Sequence, residues 1–280
     1  MSTAFLFLDE CTYESLDLAA LTGVLIPADR YASVRDAMCK LVVDVQPSPP
    51  DTIPAAIELH ARSLLTDVAH LHGDQIDSAR LAVFERVADL VAEHQLRVRR
   101  VTYMNRRAIA KLMPLDPKLY SVTFFGIEAW LQEMMADTLV VPVMDGVPAT
   151  GGGDMPRRAP RVDPVLIRAF AGTVRSTHHL RQYPRVAKNL SIANSHNLGE
   201  PVFADSAHSV LLQLVDIVSH MLLQRERAEF EGEATLSDFR RQTLTITRRM
   251  PSHLLDLWIG KMQIGDAAQQ AVEADGRGSS

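Results

Sequence analysis

Carboxylates interrupt apolar runs at several separate places in this chain. Asp9 and Glu10 close the run FLFLDE, Glu58 lies in IELHARS, Asp145 ends VVPVMDG, and Asp216 sits inside SVLLQLVDIVSHMLL. Burying a carboxylate is costly unless it is paired, hydrogen-bonded or bound to a cation. Repetition of the same exception makes a divalent-metal hydrolase the first chemistry to consider.

Each acid also has a plainer reading. Asp is common after strands as a turn or capping residue, which suffices for Asp9 alone. Glu10 falls on the opposite face from Asp9 if the strand continues, so the two share a site only if the strand ends there. Glu58 and His60 share one face of an extended segment, where carboxylate plus imidazole suits metal or metal-bound water. They diverge on a helix, and a surface loop after the proline-rich stretch explains them equally. Asp145 precedes Gly146, and Asp-Gly after a strand is ordinary turn chemistry.

Asp216 is the most informative of the set. Its segment is apolar almost all round, as expected of a core helix. Ser209, Gln213, Asp216 and His220 recur at offsets of four, three and four, so they form one narrow polar stripe. Such a stripe either faces solvent or faces something inside the molecule. Asp205 and Ser206 are suited to cap the start of this helix.

The elements that must position these residues alternate along the chain. Residues 4–9 and 20–26 read as strands, joined by a polar connection short enough for an antiparallel pair. Helical periodicity covers 28–44, 75–95 and 117–137. Strand patterns cover 96–104 and 138–145, with Pro142 placing the latter at an edge or bulge. A strand at 188–195, a hydrophobic helix over 206–228 and a helical segment over 235–262 complete the reading. This alternation argues for an α/β fold with a mixed sheet flanked by helices. A single domain over 1–265 and a frayed tail over 266–280 are expected.

Bulk properties narrow the functions. The chain has 280 residues, 31.0 kDa, a net charge of −5 and a pI of about 6.1, with 47% hydrophobic and 22% charged residues. That is ordinary for a soluble globular protein and wrong for a basic nucleic-acid coat. A nuclease stays open, because bound cations neutralise acids. No run reaches the roughly 18 apolar residues of a membrane span. Cys11 and Cys39 read as two reduced thiols in a cytoplasmic protein. The glycines at 151–153 lack P-loop order, the adjacent His178 and His179 point apart on a helix, and no nucleophile elbow is present. Arg97, Arg99, Arg100, Arg106 and Arg107, with Arg157, Arg158 and Arg161, could meet phosphates or simply form solvated basic faces.

Taken together, Asp9-Glu10-Cys11, Glu58-Leu59-His60, Asp145, and Ser209 through Leu212-Gln213-Leu214-Val215-Asp216 resemble the DUF3800 family, bacterial and phage proteins of ribonuclease H-like fold. The resemblance spans about residues 5–223. Cys11 stands where the family has serine and Val215 where it has alanine, and neither change removes an acid. The resemblance implies a ribonuclease H-like mixed sheet, with Asp9 and Asp145 at neighbouring strand ends and Asp216 on a helix lying across them. Asp9, Glu58, Asp145 and Asp216 would then hold two Mg²⁺ or Mn²⁺ ions roughly 4 Å apart for hydrolysis of RNA or DNA. Glu10, His60, Ser209 and Gln213 would support them. Two alternatives remain: a non-catalytic recognition or regulatory module, for example in phage defence, and a small-nucleotide phosphohydrolase. The hydrophobic helices would also suit a homodimer.

Overall fold

The computed structural model describes residues 2–13, 17–45, 74–104, 137–145, 202–204 and 209–261, together with Leu59, Ala61, Ile127, Trp130 and Leu131. Strands β1 (Ser2–Tyr13), β2 (Leu18–Pro27), β3 (Arg97–Met104), β4 (Thr138–Asp145), β5 (Val202–Ala204) and β6 (Leu255–Lys261) form a six-stranded sheet in the order β5-β4-β1-β2-β3-β6. The β1–β2 and β2–β3 pairs are antiparallel, as the short first connection predicted, while β1–β4, β4–β5 and β3–β6 are parallel. The fold is therefore α/β with a mixed sheet.

At the centre of the sheet, β2 is buried at every position from Leu18 to Ile26. Burial of consecutive residues means that both faces are covered, because successive side chains point to opposite sides. On one face Phe7, Val24, Ile26 and Val98 join a core with the helices α1 (Tyr31–Val45), α2 (Asp74–Glu93), α3 (Val210–Glu231) and α4 (Asp238–Thr247). The apolar stripes Val34, Met38, Leu41 of α1 and Val83, Val87, Val91 of α2 supply the helical side of that core. Leu6, Leu8 and Leu21 are buried on the opposite face. Ile127, Trp130 and Leu131 are helical and buried, in keeping with the predicted helix over 117–137.

α3 is 22 residues long, starts after Ser209 and ends at Gly232, whose φ of 90° is a conformation that favours glycine. Ser209 accepts a hydrogen bond from the Leu212 amide at 3.3 Å and is the N-cap. The expectation that Asp205 or Ser206 begins this helix is thus corrected, since helical residues start at Val210.

The helical reading of 235–262 is also corrected. α4 ends at Thr247, Pro251 follows, and Leu255–Lys261 is β6, paired in parallel with β3. Leu255, Leu257 and Ile259 alternate with Asp256 and Trp258, a period-two pattern that the preceding helical periodicity masked. The expected strand at 188–195 and the tail beyond 265 lie outside the described residues, whereas the short β5 was not anticipated. Pro142 sits next to the three β4 residues that β5 covers, on the stretch of β4 that β5 does not reach. That position suits a residue without an amide donor.

Candidate functional site

Asp9 is an interior residue of β1, because the strand continues to Tyr13. The expectation that it closes the strand is corrected. Its continuation is the condition under which Asp9 and Glu10, as consecutive strand positions, belong to opposite faces. Asp9 lies between Phe7, which packs into the helical core, and Cys11, which packs with Leu18, Ala20 and Leu223 of α3. The half-buried Asp9 therefore belongs to the face that α3 covers.

The register carries this row across the sheet. Asp9 pairs with Thr22 of β2, and Thr22 pairs with Arg100 of β3. Directly opposed side chains share a face, with Cβ atoms about 5 Å apart. On the other side β1 runs parallel to β4, with Leu8 opposite Met144. The next residue of each strand is an acid, Asp9 inside β1 and Asp145 at the end of β4. Of the expectation that the two lie at neighbouring strand ends, the strands are neighbours and Asp145 ends β4, whereas Asp9 lies inside β1.

A polar lock joins this row to α3. Thr22 Oγ1 donates to Ser219 Oγ at 3.1 Å. Arg100 Nη1 donates to Thr22 Oγ1 at 2.8 Å and to the Ser219 carbonyl at 3.2 Å. Arg100 Nε and Nη2 donate to the two Glu226 carboxylate oxygens at 2.8 and 2.7 Å, and Thr102 Oγ1 donates to Glu226 as well. Ser219 lies one turn beyond Asp216 on the helix, the spacing at which side chains are neighbours. Asp9 thus pairs with the strand residue at one end of this sheet-to-helix hydrogen bond, and Asp216 stands one helical turn from the residue at the other. Residues far apart in sequence are indexed to each other by that contact.

The stripe on α3 faces the chain. Gln213 is 3% exposed, and its Oε1 accepts from the Leu59 amide at 3.1 Å. Asp216 Oδ2 accepts from the Ala61 amide at 2.9 Å. Leu59 and Ala61 are both buried. Leu59 and Ala61 thus dock on Gln213 and Asp216, and the solvent-facing alternative for the stripe does not apply to these two residues. Glu58, His60 and the side chains of Glu10 and Asp145 lie outside the described residues. Among the described residues, no group of three or more His, Cys, Asp or Glu could hold a metal ion; of the four proposed ligands, only the Asp9 and Asp216 side chains belong to that set.

Several expectations for basic residues change. Arg100 is 1% exposed and engaged with Glu226, so it is neither a solvated basic face nor a phosphate contact. Arg99 pairs with Asp256. Arg106, Arg107, Arg157, Arg158, Arg161, the glycines at 151–153, His178 and His179 lie outside the described residues. Sequence reading missed the network of Thr22, Arg100, Ser219 and Glu226. Its signal was present: Arg100 is in strand phase with buried Val98, and Ser219 and Glu226 are seven apart on one face of an apolar helix.

Electrostatics agree with this placement. Cys11 and Cys39 are free, and burial pushes the Cys11 thiol up, opposed by nearby Arg100 and reinforced by Asp9. His220 stacks on Phe84 at 5.8 Å, and burial, then Arg80, lowers its pKa to about 4, with Asp216 opposing. Among the described residues, no helix is long and apolar enough to cross a membrane. Comparison with protein-family models, with curated proteins and with solved structures returned no match.

Proposed function

We propose that this chain is a divalent-metal-dependent phosphodiesterase of ribonuclease H-like architecture, acting on RNA or DNA and akin to the DUF3800 family. The observation that carries the reading is that Asp9 of β1 and Asp216 of α3 are linked through the Thr22–Ser219 contact, Asp9 pairing with Thr22 and Asp216 standing one turn before Ser219, with Asp145 ending the neighbouring parallel strand. Mixed-sheet acids crossed by a helix acid are what this architecture requires. Carboxylate oxygens are the donors that Mg²⁺ and Mn²⁺ favour, so the residues fit the group.

Asp9, Glu58, Asp145 and Asp216 would hold the two ions. Bound there, they would supply an activated water and charge stabilisation at the leaving oxygen. The chain's own residues support that chemistry. Glu226 neutralises the buried guanidinium of Arg100, so this cation does not stand unpaired beside Asp9. The Ala61 amide orients the Asp216 carboxylate.

One observation favours the non-catalytic module: Asp216 already has a structural partner in Ala61. Asp216→Asn separates the two roles, since the amide oxygen still accepts that bond while the charge is lost. Purified protein with Mn²⁺ or Mg²⁺ is expected to cleave at least one member of a panel of RNAs, DNAs and small nucleotides. Asp9→Asn and Asp216→Asn should each lower the rate at least about a hundredfold while the melting temperature holds. Metal-dependent cleavage that survives both substitutions, or an absence of Mn²⁺ binding at millimolar concentration, overturns the proposal.

A further inference from the structure

The Leu59–Ala61 stretch is held from a second side. Arg80 of α2 donates from Nη2 to the Ala61 carbonyl at 3.0 Å. Its guanidinium lies over the Phe239 ring of α4, 4.4 Å from the centroid, and Nη1 stands 3.5 Å from Asp77 Oδ1. The side chain is only 15% exposed. Stacking on an aromatic ring holds the guanidinium plane in a way an ammonium cannot reproduce, and its fork then has a set direction. Burying a cation is costly unless it is paired and hydrogen-bonded, and Arg80 meets that cost with Asp77 and the Ala61 carbonyl.

Three contacts therefore converge on one short stretch: Gln213 on the Leu59 amide, Asp216 on the Ala61 amide, and Arg80 on the Ala61 carbonyl. The Leu59 amide belongs to the peptide group that joins it to Glu58, and the Ala61 amide to the one that joins it to His60. Both held amides belong to residues that directly follow a proposed site residue in the sequence. Neither Arg80 nor Gln213 offers an anionic ligand. We infer that Arg80 and Gln213 are positioning residues that clamp Leu59 and Ala61, the sequence neighbours of Glu58 and His60, against α3. Their consequence for metal binding rests on the function proposed above, whereas the clamp itself does not.

Hydrogen exchange by mass spectrometry on the full chain tests this, read at peptides containing Leu59 and Ala61, with Mn²⁺ calorimetry in parallel. Arg80→Met keeps an apolar stem over Phe239 and removes the donor. Gln213→Met keeps the bulk and removes the acceptor. Each is expected to speed exchange at those peptides about tenfold or more, leaving β1 and the rest of α3 protected. Each should also weaken Mn²⁺ binding by roughly tenfold to a hundredfold, the size of a supporting-residue effect. Unchanged exchange at those peptides, or an equal rise in β1 and α3, overturns the clamp. If the local exchange responds while the wild type neither binds Mn²⁺ nor cleaves, the clamp stands and the metal reading falls. If metal-dependent cleavage is seen and exchange does not respond, the clamp falls and the metal reading stands.

Discussion

His220 shows how one residue of the α3 stripe couples to the surrounding helices. Its ring stacks on Phe84, and its Nε2 lies 3.3 Å from Gln224 Nε2. Burial lowers its pKa to about 4, Arg80, Arg240 and Arg100 add to that, and Asp216 opposes them. The ring is neutral in the folded protein at neutral pH, whereas the unfolded value is near 6.5. Between these two values the unfolded chain binds more protons, so stability rises with pH across that window and is lost as pH falls through it. The contribution is up to roughly 3 kcal/mol. Urea unfolding from about pH 4.5 to about pH 7 should show a shallower dependence in His220→Gln than in the wild type; identical slopes would remove His220 as the cause. At this scale the sequence showed the stripe of Ser209, Gln213, Asp216 and His220 but not what lies against it. Helical spacing reports which side chains share a face. The Leu59 and Ala61 amides that meet this face come from a remote segment with no periodic signal of its own.

Among the elements, β2 carries the tightest constraint. A Cβ placed on Gly23 would lie 2.9 Å from Leu6 Cδ1 and 3.2 Å from Leu8 Cδ2, both on β1. Those leucines are 0% and 2% exposed, so they have little room to retreat. Gly23→Ala should therefore destabilise the protein by about 1–3 kcal/mol through overpacking, and a higher urea midpoint would refute this account. Long elements with a clear period were legible: β2, α1, α2, β3, β4 and α3 appear close to their predicted bounds, while β1 runs four residues past its expected end. β6 was not, because its seven residues follow a helix across Pro251 and are stabilised by pairing with the distant β3. The three residues of β5 likewise depend on β4. Short strands take their stability from partners, which local composition does not name.

For the whole molecule, the decisive contact is the buried lock between sheet and helix. Arg100 and Glu226 are 1% and 6% exposed at their side chains and joined by two hydrogen bonds. Removing one partner strands the other charge in the interior. Arg100→Met should cost about 3–5 kcal/mol in urea unfolding, and adding Glu226→Leu should recover most of that loss. A small effect of the single variant would show that water reaches this network. The sequence by itself determined the α/β alternation, the antiparallel first pair, the apolar faces and the acids set into them, because periodicity and composition are local properties that burial reads directly. Tertiary structure decided that Asp9 pairs with Thr22, that Thr22 meets Ser219 one turn beyond Asp216, that β4 runs beside β1, and that Arg100 is a buried lock. Those outcomes depend on strand register and on the seating of α3, which are set by contacts between residues far apart in the chain.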